Sequence, residues 1–359
     1  MYVLCYYASK QNKWWAVVVA LIIYSIIFGV RYGVGADFFG YLEIYEKCRI
    51  TDGQTLLYGK TFDPGFLFIM KTLALNDFHY GWFFGVVAFL QIFLVFLSVK
   101  KDSYIYPFLV ITFMLGGSWL SYANGLRQIL AVCCFMVSLR FASERKIIWH
   151  YIFIYLAILM HNTAWILIVF YPLLRLKDEW FSNLKLQFIL FGVSLVIMQF
   201  DAIFEVMQYL DYGAELLGYE RYLDGREAYK VHNADLRIGI GFVLMLLMNI
   251  ICVYFSNDVK RFFNSRFLVY IYNFYFVGIL ICYAFLNSHI IQRINYYFYG
   301  LQFIFAAYTL FYLSKANKKF FYLLLSLYFL TFVAILYRAE SNTAMYIFNW
   351  EVFNKGFIK

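Results

Sequence analysis

The sequence predicts an all-α, polytopic integral membrane protein, and three observations predict it. Hydrophobic residues make up 64% of the 359, charged residues only 14%, and there are three prolines; an average soluble domain carries about 25% charged residues. Apolar runs of membrane-spanning length recur from end to end. Basic residues fall in alternate loops, as the positive-inside rule requires of a multi-span protein.

Taken in order, the apolar runs are Trp14–Val30, Tyr80–Val99, Tyr104–Leu120, Asn124–Ala142, Ile147–Met160, Thr163–Leu174, Leu186–Asp201, Arg237–Ser256, Phe267–Asn287, Arg293–Leu313 and Phe320–Tyr337. They predict about eleven transmembrane helices in one membrane domain over residues 1–359. Ile147–Leu174 reads equally as one long tilted helix or a tight hairpin. Pro64–Leu75 is too short to cross and reads as re-entrant. Met1–Ala8 is apolar but also too short; with no small-residue cleavage pattern it is not expected to be a cleavable signal peptide, and reads alternatively as the tail of a span.

The loops divide into two sets. One carries 16 basic and five acidic residues, including Lys10, Lys100, Arg140, Lys177, Lys260 and Lys319; the other carries 14 basic and 16 acidic. The net charge of +9 is thus +11 on one side and −2 on the other, which predicts a cytoplasmic N-terminus and makes nucleic acid an unneeded explanation of the basic balance. Two long hydrophilic loops, about 31–63 and 201–236, fall on the outer side. The second carries eight acids including Asp235 and the tyrosines 209, 212, 219, 222 and 229; it reads as a solvated lid or as a sugar-binding cover. Cytoplasmic loops are short and lack a nucleotide-binding signature; Gly33-Val34-Gly35 follows no strand and lacks a third glycine. Six cysteines show no C-x-x-C, and no D-x-D occurs, so neither zinc nor a metal-clamped diphosphate is expected, nor any cofactor. Aromatic residues reach 23%, which reads as codon bias or as rings lining a carbohydrate path.

The outer ends of separate spans carry an unusual set of polar side chains. Arg31 and Asp37 flank two glycines after the first span. Arg127 and Gln128 open the fourth, His161 interrupts the fifth and sixth, Arg293 opens the tenth and Arg338 ends the last. A charged side chain at lipid depth costs roughly 2.5–3.5 kcal/mol on insertion scales, so each is expected to have a partner or a task. Singly, each arginine reads as a snorkelling residue and His161 as a packing residue. Together they suit an anion site for a lipid-linked pyrophosphate: guanidinium forks bind phosphate oxygens and favour departure of that leaving group. His161 and Asp37 are the candidate bases for an acceptor hydroxyl.

The segments Arg31-Tyr-Gly-Val-Gly-Ala-Asp37 with Tyr41, Phe62-Asp-Pro-Gly-Phe66, Gly125-Leu-Arg-Gln128 and His161-Asn-Thr-Ala164 resemble, in order, the EpsG-like branch of the Wzy-type polysaccharide polymerases. The resemblance is strongest from Ile22 to Ala164; after Leu186 only Gln292-Arg293 stands out. It implies a GT-C-like glycosyltransferase of the bacterial inner membrane, working at the periplasmic or extracellular face. The implied reaction moves a growing glycan from undecaprenyl pyrophosphate to a new lipid-linked repeat unit. A Wzz-like chain-length regulator is an implied partner beside the bilayer and the lipid-linked oligosaccharide. Carried over, the resemblance implies that Arg127 and Arg293 hold the donor pyrophosphate with Arg31 assisting, that His161 is the acceptor base or orienter, and that Asp37 pairs with an arginine or binds the sugar. Tyr41, Gln128 and Arg338 are further candidates for binding the pyrophosphate or glycan, and His161 and Asp37 are the candidates for catalysis. The rival readings are an O-antigen ligase, a transporter of the same lipid and a membrane acyltransferase; the first span lacks the histidine expected of the last.

Overall fold

The computed structural model describes residues 1–35, 37–50, 63–198, 239–286, 289–341 and 347–348, with 289, 290, 338–341, 347 and 348 described by backbone alone. The predicted outer cover at 201–236 and its tyrosines lie outside these residues. The described chain is helical throughout, apart from a two-residue antiparallel pairing of β1 (Arg31–Tyr32) with β2 (Ile347–Phe348).

Two short helices open the chain, α1 (Tyr2–Gln11) and α2 (Trp14–Gly29), followed by α3 (Phe38–Ile50), α4 (Pro64–Ala74) and α5 (Tyr80–Ser98). Helices α2 and α5 meet through glycines. A Cβ at Gly29 would stand 2.8 Å from the Gly81 carbonyl oxygen, so the backbones touch where any side chain would hold them apart. Next come α6 (Tyr106–Leu115), α7 (Ser118–Asn124), α8 (Leu126–Ser143) and α9 (Ile147–Met160). Helix α8 is the axis of the molecule: nearly every side chain from Leu126 to Ser143 is buried, and α5 and α9 pack along it. Beyond lie α10 (Phe170–Leu176), α11 (Leu184–Ile197), α12 (Ile240–Tyr254), α13 (Ser256–Phe263), α14 (Arg266–Ala284), α15 (His289–Tyr299), α16 (Gln302–Ala316) and the peripheral α17 (Lys318–Ser341). Aromatic residues fill this core. Phe274 alone packs against Phe135, Phe170, Trp180 and Phe298.

Among the described residues four helices are long and apolar enough to cross a membrane: Tyr80–Ser98, Leu126–Ser143, Arg266–Ala284 and Lys318–Tyr337. Two bent pairs bring the number to six, Lys100–Leu115 with Ser118–Asn124 at 68° and Ile240–Tyr254 with Ser256–Phe263 at 50°. Eleven runs in the sequence therefore do not become eleven straight spans of full length. The sixteen residues of α2 rise about 24 Å, short of a hydrocarbon core of about 30 Å. The run 104–120 turns at Gly116-Gly117, where Gly117 adopts φ +75°. The run 293–313 is interrupted at Gly300-Leu301. The run 147–174 is two helical segments, joined at His161 in extended backbone (φ −158°, ψ 122°).

Charged contacts gather at the helix ends. Where α5 and α8 finish, Arg140 pairs with Asp102 and donates to the Ser98 carbonyl. Arg145 and Arg266 share Asp178 at 2.7 and 3.1 Å, Lys260 meets Glu179, and Lys101 and Lys146 hold Glu144. These are residues of the basic loop set. Arg127 lies at the other end of α8, about 20 Å from Arg140 at 1.5 Å per residue, and the second group of charges collects around it.

Candidate functional site

The site is built on α8 because Gly125 ends one helix and starts another. Its amide closes α7 on the Ser121 carbonyl, and its carbonyl accepts from Ile129 to open α8. Arg127 and Gln128 therefore stand in the first turn of the most buried helix. A cavity of about 220 Å³ opens there, lined by Asp37, Tyr41, Arg127, Gln128, His161 and Arg293 together with Asn124, Gln292 and Tyr296.

Each element is held in place by identifiable contacts. Gly33 (φ +66°) and Gly35 (φ +95°) take left-handed backbone that turns the chain after α2. A Cβ on Gly35 would lie 3.2 Å from Asn124 Oδ1, so this turn lies against the end of α7. The Asp37 amide donates to that same oxygen at 2.9 Å, bringing its carboxylate to the cavity. Gln128 donates through Nε2 to the Arg293 carbonyl, tying the start of α8 to α15. Gln292 fastens α15 to α14 by donating to the Cys282 and Phe285 carbonyls at 3.0 and 2.9 Å.

Asp63, which the sequence marks only as part of the segment Phe62-Asp-Pro-Gly-Phe66, is at the centre of the polar contacts. Its Oδ2 lies 2.7 Å from Arg127 Nη1 and 3.4 Å from His161 Nδ1, while Oδ1 accepts the Asn162 amide at 2.9 Å. The segment Asp63-Pro64-Gly65-Phe66 explains how it gets there. Pro64 starts α4 at the one place a helix tolerates it. Gly65 lies against α9, since a Cβ would stand 2.7 Å from Met160 Cε and 2.8 Å from Leu159 Cβ. Phe66 is fully buried beneath. The close approach of α4 to the end of α9 thus delivers the carboxylate to His161. Burial works to raise the Asp63 pKa, but the hydrogen bond with His161 and the Arg127 charge outweigh it and hold the carboxyl below its usual range. Burial raises the Tyr41 phenol, against the pull of Arg127 beside it, so Tyr41 stays a protonated donor near neutral pH.

Six of the eight side chains singled out in the sequence meet in this cavity: Asp37, Tyr41, Arg127, Gln128, His161 and Arg293. Arg31 does not line it. Its side chain is 4% exposed and its guanidinium lies over the Phe84 ring at 4.8 Å and the Phe28 ring at 5.7 Å, where it packs the α2–α5 interface. Arg338 lies near the end of α17, and its side chain falls outside the described residues. The charges are close to balanced: among the described lining and supporting residues, Arg127 and Arg293 are accompanied by Asp37 and Asp63, with His161 in contact with Asp63. Asp63 was traceable in sequence as an aspartate preceding Pro-Gly at the head of an apolar run, a helix-start signature with an anionic group at its cap.

A family model described as the EpsG family matches residues 14–351, nearly the whole chain. No curated protein and no solved structure matches it.

Proposed function

This chain belongs to the EpsG family, and on that footing we propose that it is a polysaccharide polymerase with a GT-C-like membrane fold. It takes a growing glycan from undecaprenyl pyrophosphate and joins it to a new lipid-linked repeat unit, at the periplasmic or extracellular face of the bacterial inner membrane. The observation that carries this reading is the contact of Asp63 with both Arg127 and His161, beside a cavity that Arg293 also lines.

In the proposed reaction the acceptor hydroxyl oxygen bonds to the anomeric carbon of the donor sugar as the bond from that carbon to the phosphate oxygen breaks. The hydroxyl proton passes to His161, and undecaprenyl pyrophosphate leaves with the bonding pair. An ionised Asp63 only accepts hydrogen bonds, so the His161 nitrogen facing it carries the proton and Nε2 is left as the base. Arg127 and Arg293 hold the departing pyrophosphate, where fixed positive charge lowers the barrier most. Before substrate binds, Asp63 balances Arg127; the arriving phosphates compete with Asp63 for the same guanidinium. Asp37 and Tyr41 orient sugar hydroxyls, and Gln128 positions Arg293 through its backbone.

The test is genetic. Arg127→Ala, Arg293→Ala and His161→Ala, each present in the membrane at normal level, are expected to reduce the surface polymer to single repeats on a gel. Normal polymer length and amount in Arg127→Ala and Arg293→Ala cells would overturn the assignment. Loss of even the single-repeat product on deleting the whole gene would point instead to a ligase or a transporter.

A further inference from the structure

A second cavity of about 240 Å³ adjoins the first and shares Ser121, Ile129 and Tyr296 with it. We infer that this cavity is a sugar subsite, holding the pyranose nearest the pyrophosphate. The inference rests on the reading of the first cavity as the pyrophosphate site and gives that site its glycan-binding neighbour.

Two helix breaks meet at the second cavity. The junction of α6 and α7 contributes Gly116 and Gly117, and the junction of α15 and α16 contributes Gly300. Within a membrane, irregular backbone persists where it is buried in protein or lines a polar cavity; both breaks face one space here. The wall combines rings with hydrogen-bonding groups, Tyr122, Tyr299 and Tyr328 beside Ser118, Gln302 and Thr331. A pyranose has that dual character, apolar C–H faces and a rim of hydroxyls, and a pocket of aromatic surface with a few placed polar groups suits it.

The polar groups of the wall are pre-set. Asn249, wholly buried, donates to the hydroxyls of Tyr283 and Tyr299 at 3.0 and 3.1 Å and accepts from Tyr275 at 2.8 Å and from Gln302 Nε2 at 3.3 Å. Gln302 thereby keeps its amide oxygen as an acceptor at the cavity. The Ser118 and Ser121 hydroxyls make no hydrogen bond with protein among the described residues, which leaves both for a ligand. An isoprenoid chain would leave these groups unsatisfied. Hydrocarbon suits the outer groove of α2 and α5 better, about 420 Å³ and lined by residues such as Ile26, Gly29, Gly85 and Phe89.

Gly241 allows a clean test, because it lines the second cavity and a Cβ there meets nothing within 4 Å. Gly241→Leu adds a side chain where the Cβ has open space and improves helix propensity; Gln302→Leu removes the acceptor. The purified full chain in nanodiscs is titrated by tryptophan fluorescence with two probes: oligosaccharides cut from the cell's own surface polysaccharide, and farnesyl pyrophosphate. Both variants are expected to weaken oligosaccharide binding about tenfold or more and leave farnesyl pyrophosphate binding unchanged; Arg127→Ala is expected to weaken farnesyl pyrophosphate. Unchanged oligosaccharide affinity in both variants, or no oligosaccharide binding to the wild type, overturns the subsite. Weakened farnesyl pyrophosphate binding in both cavity variants overturns it in favour of an isoprenoid pocket. Equal farnesyl pyrophosphate binding by wild type and Arg127→Ala defeats the pyrophosphate reading, separately from the sugar result.

Discussion

Asp63→Asn separates the part of this carboxylate that builds the fold from the part that serves the proposed reaction. The amide oxygen still accepts the Asn162 amide, so the 2.9 Å contact between α4 and the end of α9 survives. What is lost is the charge at Oδ2, where an amide NH₂ now meets the Arg127 guanidinium donor against donor. A hydrogen bond to a charged group is worth about 1.5–3 kcal/mol. The Arg127 side chain is 30% exposed and recovers part of this from water, which leaves a stability loss of about 1–2 kcal/mol. The rate should fall further. Without the carboxylate His161 loses its fixed tautomer, and general-base catalysis contributes about 10²–10⁴-fold, so a loss of about 10²-fold in polymer formed per folded molecule is expected. The assay follows polymer formation from lipid-linked repeat units by the purified chain, normalised to folded protein by its melting curve. A normalised rate within about threefold of wild type, far under the general-base contribution, would refute the Asp63–His161 mechanism and leave Asp63 a purely structural clamp. A double-mutant cycle with Arg127→Ala sharpens this: the effects should be non-additive, as for residues in direct contact.

Four further outcomes are expected. Gly65→Leu should push α4 away from α9 and cost activity much as loss of Asp63 does, because the new side chain meets Leu159 and Met160; the same polymer assay reads it. Arg31→Ala should lower folded yield while leaving the rate per folded molecule near wild type, since Arg31 stacks on Phe84 outside the cavity; a desolvated cation–π contact is worth about 2 kcal/mol. Gly29→Leu should abolish assembly of α2 on α5, seen as loss of monodisperse protein on size exclusion, whereas Gly192→Leu, with open space around it, should not. Acid should weaken the protein in melting curves run from pH 7 to pH 3. Burial opposes ionisation of Asp63, Glu144 and Asp178, but His161 and Arg127, Lys101 and Lys146, and Tyr270, Arg145 and Arg266 respectively hold these carboxyls below their ordinary range. Their folded-state pKa is depressed, so the stabilisation is full above about pH 4, the unfolded range, and is lost as pH falls through the lowered values.

The sequence displayed the helical membrane class and much of the polar cluster, for a physical reason. Charges in apolar runs are costly enough to be conspicuous, and alternation of loops alone puts Asp37, Arg127, His161 and Arg293 on one side. Asp63 escaped because it stands in a loop, where a charge costs little and attracts no notice; its role depends on how closely Gly65 lets α4 approach α9. The ring contacts of Arg31 were not legible, because snorkelling, ion pairing and ring stacking look alike in one dimension. The helix break at Gly300 was hidden as well, since hydropathy runs on through it and the reason for breaking lies in the neighbouring helix. At Gly278, for example, a Cβ would lie 2.4 Å from the Tyr299 amide nitrogen.

The bond from Gln128 to the Arg293 carbonyl joins residues 165 positions apart, and that separation has a consequence for biogenesis. A ribosome threading this chain into a membrane delivers Asp37, Asp63, Arg127 and His161 first, and roughly a third of the protein must still follow before Arg293 arrives. A nascent chain therefore carries Asp37, Asp63, Arg127 and His161 without the second arginine, and under the proposed reaction it would be inert towards activated lipid-linked sugars until Arg293 is made. Two separately expressed fragments, divided within 199–238, would each hold one half of the cavity, and activity would return only when the halves pair.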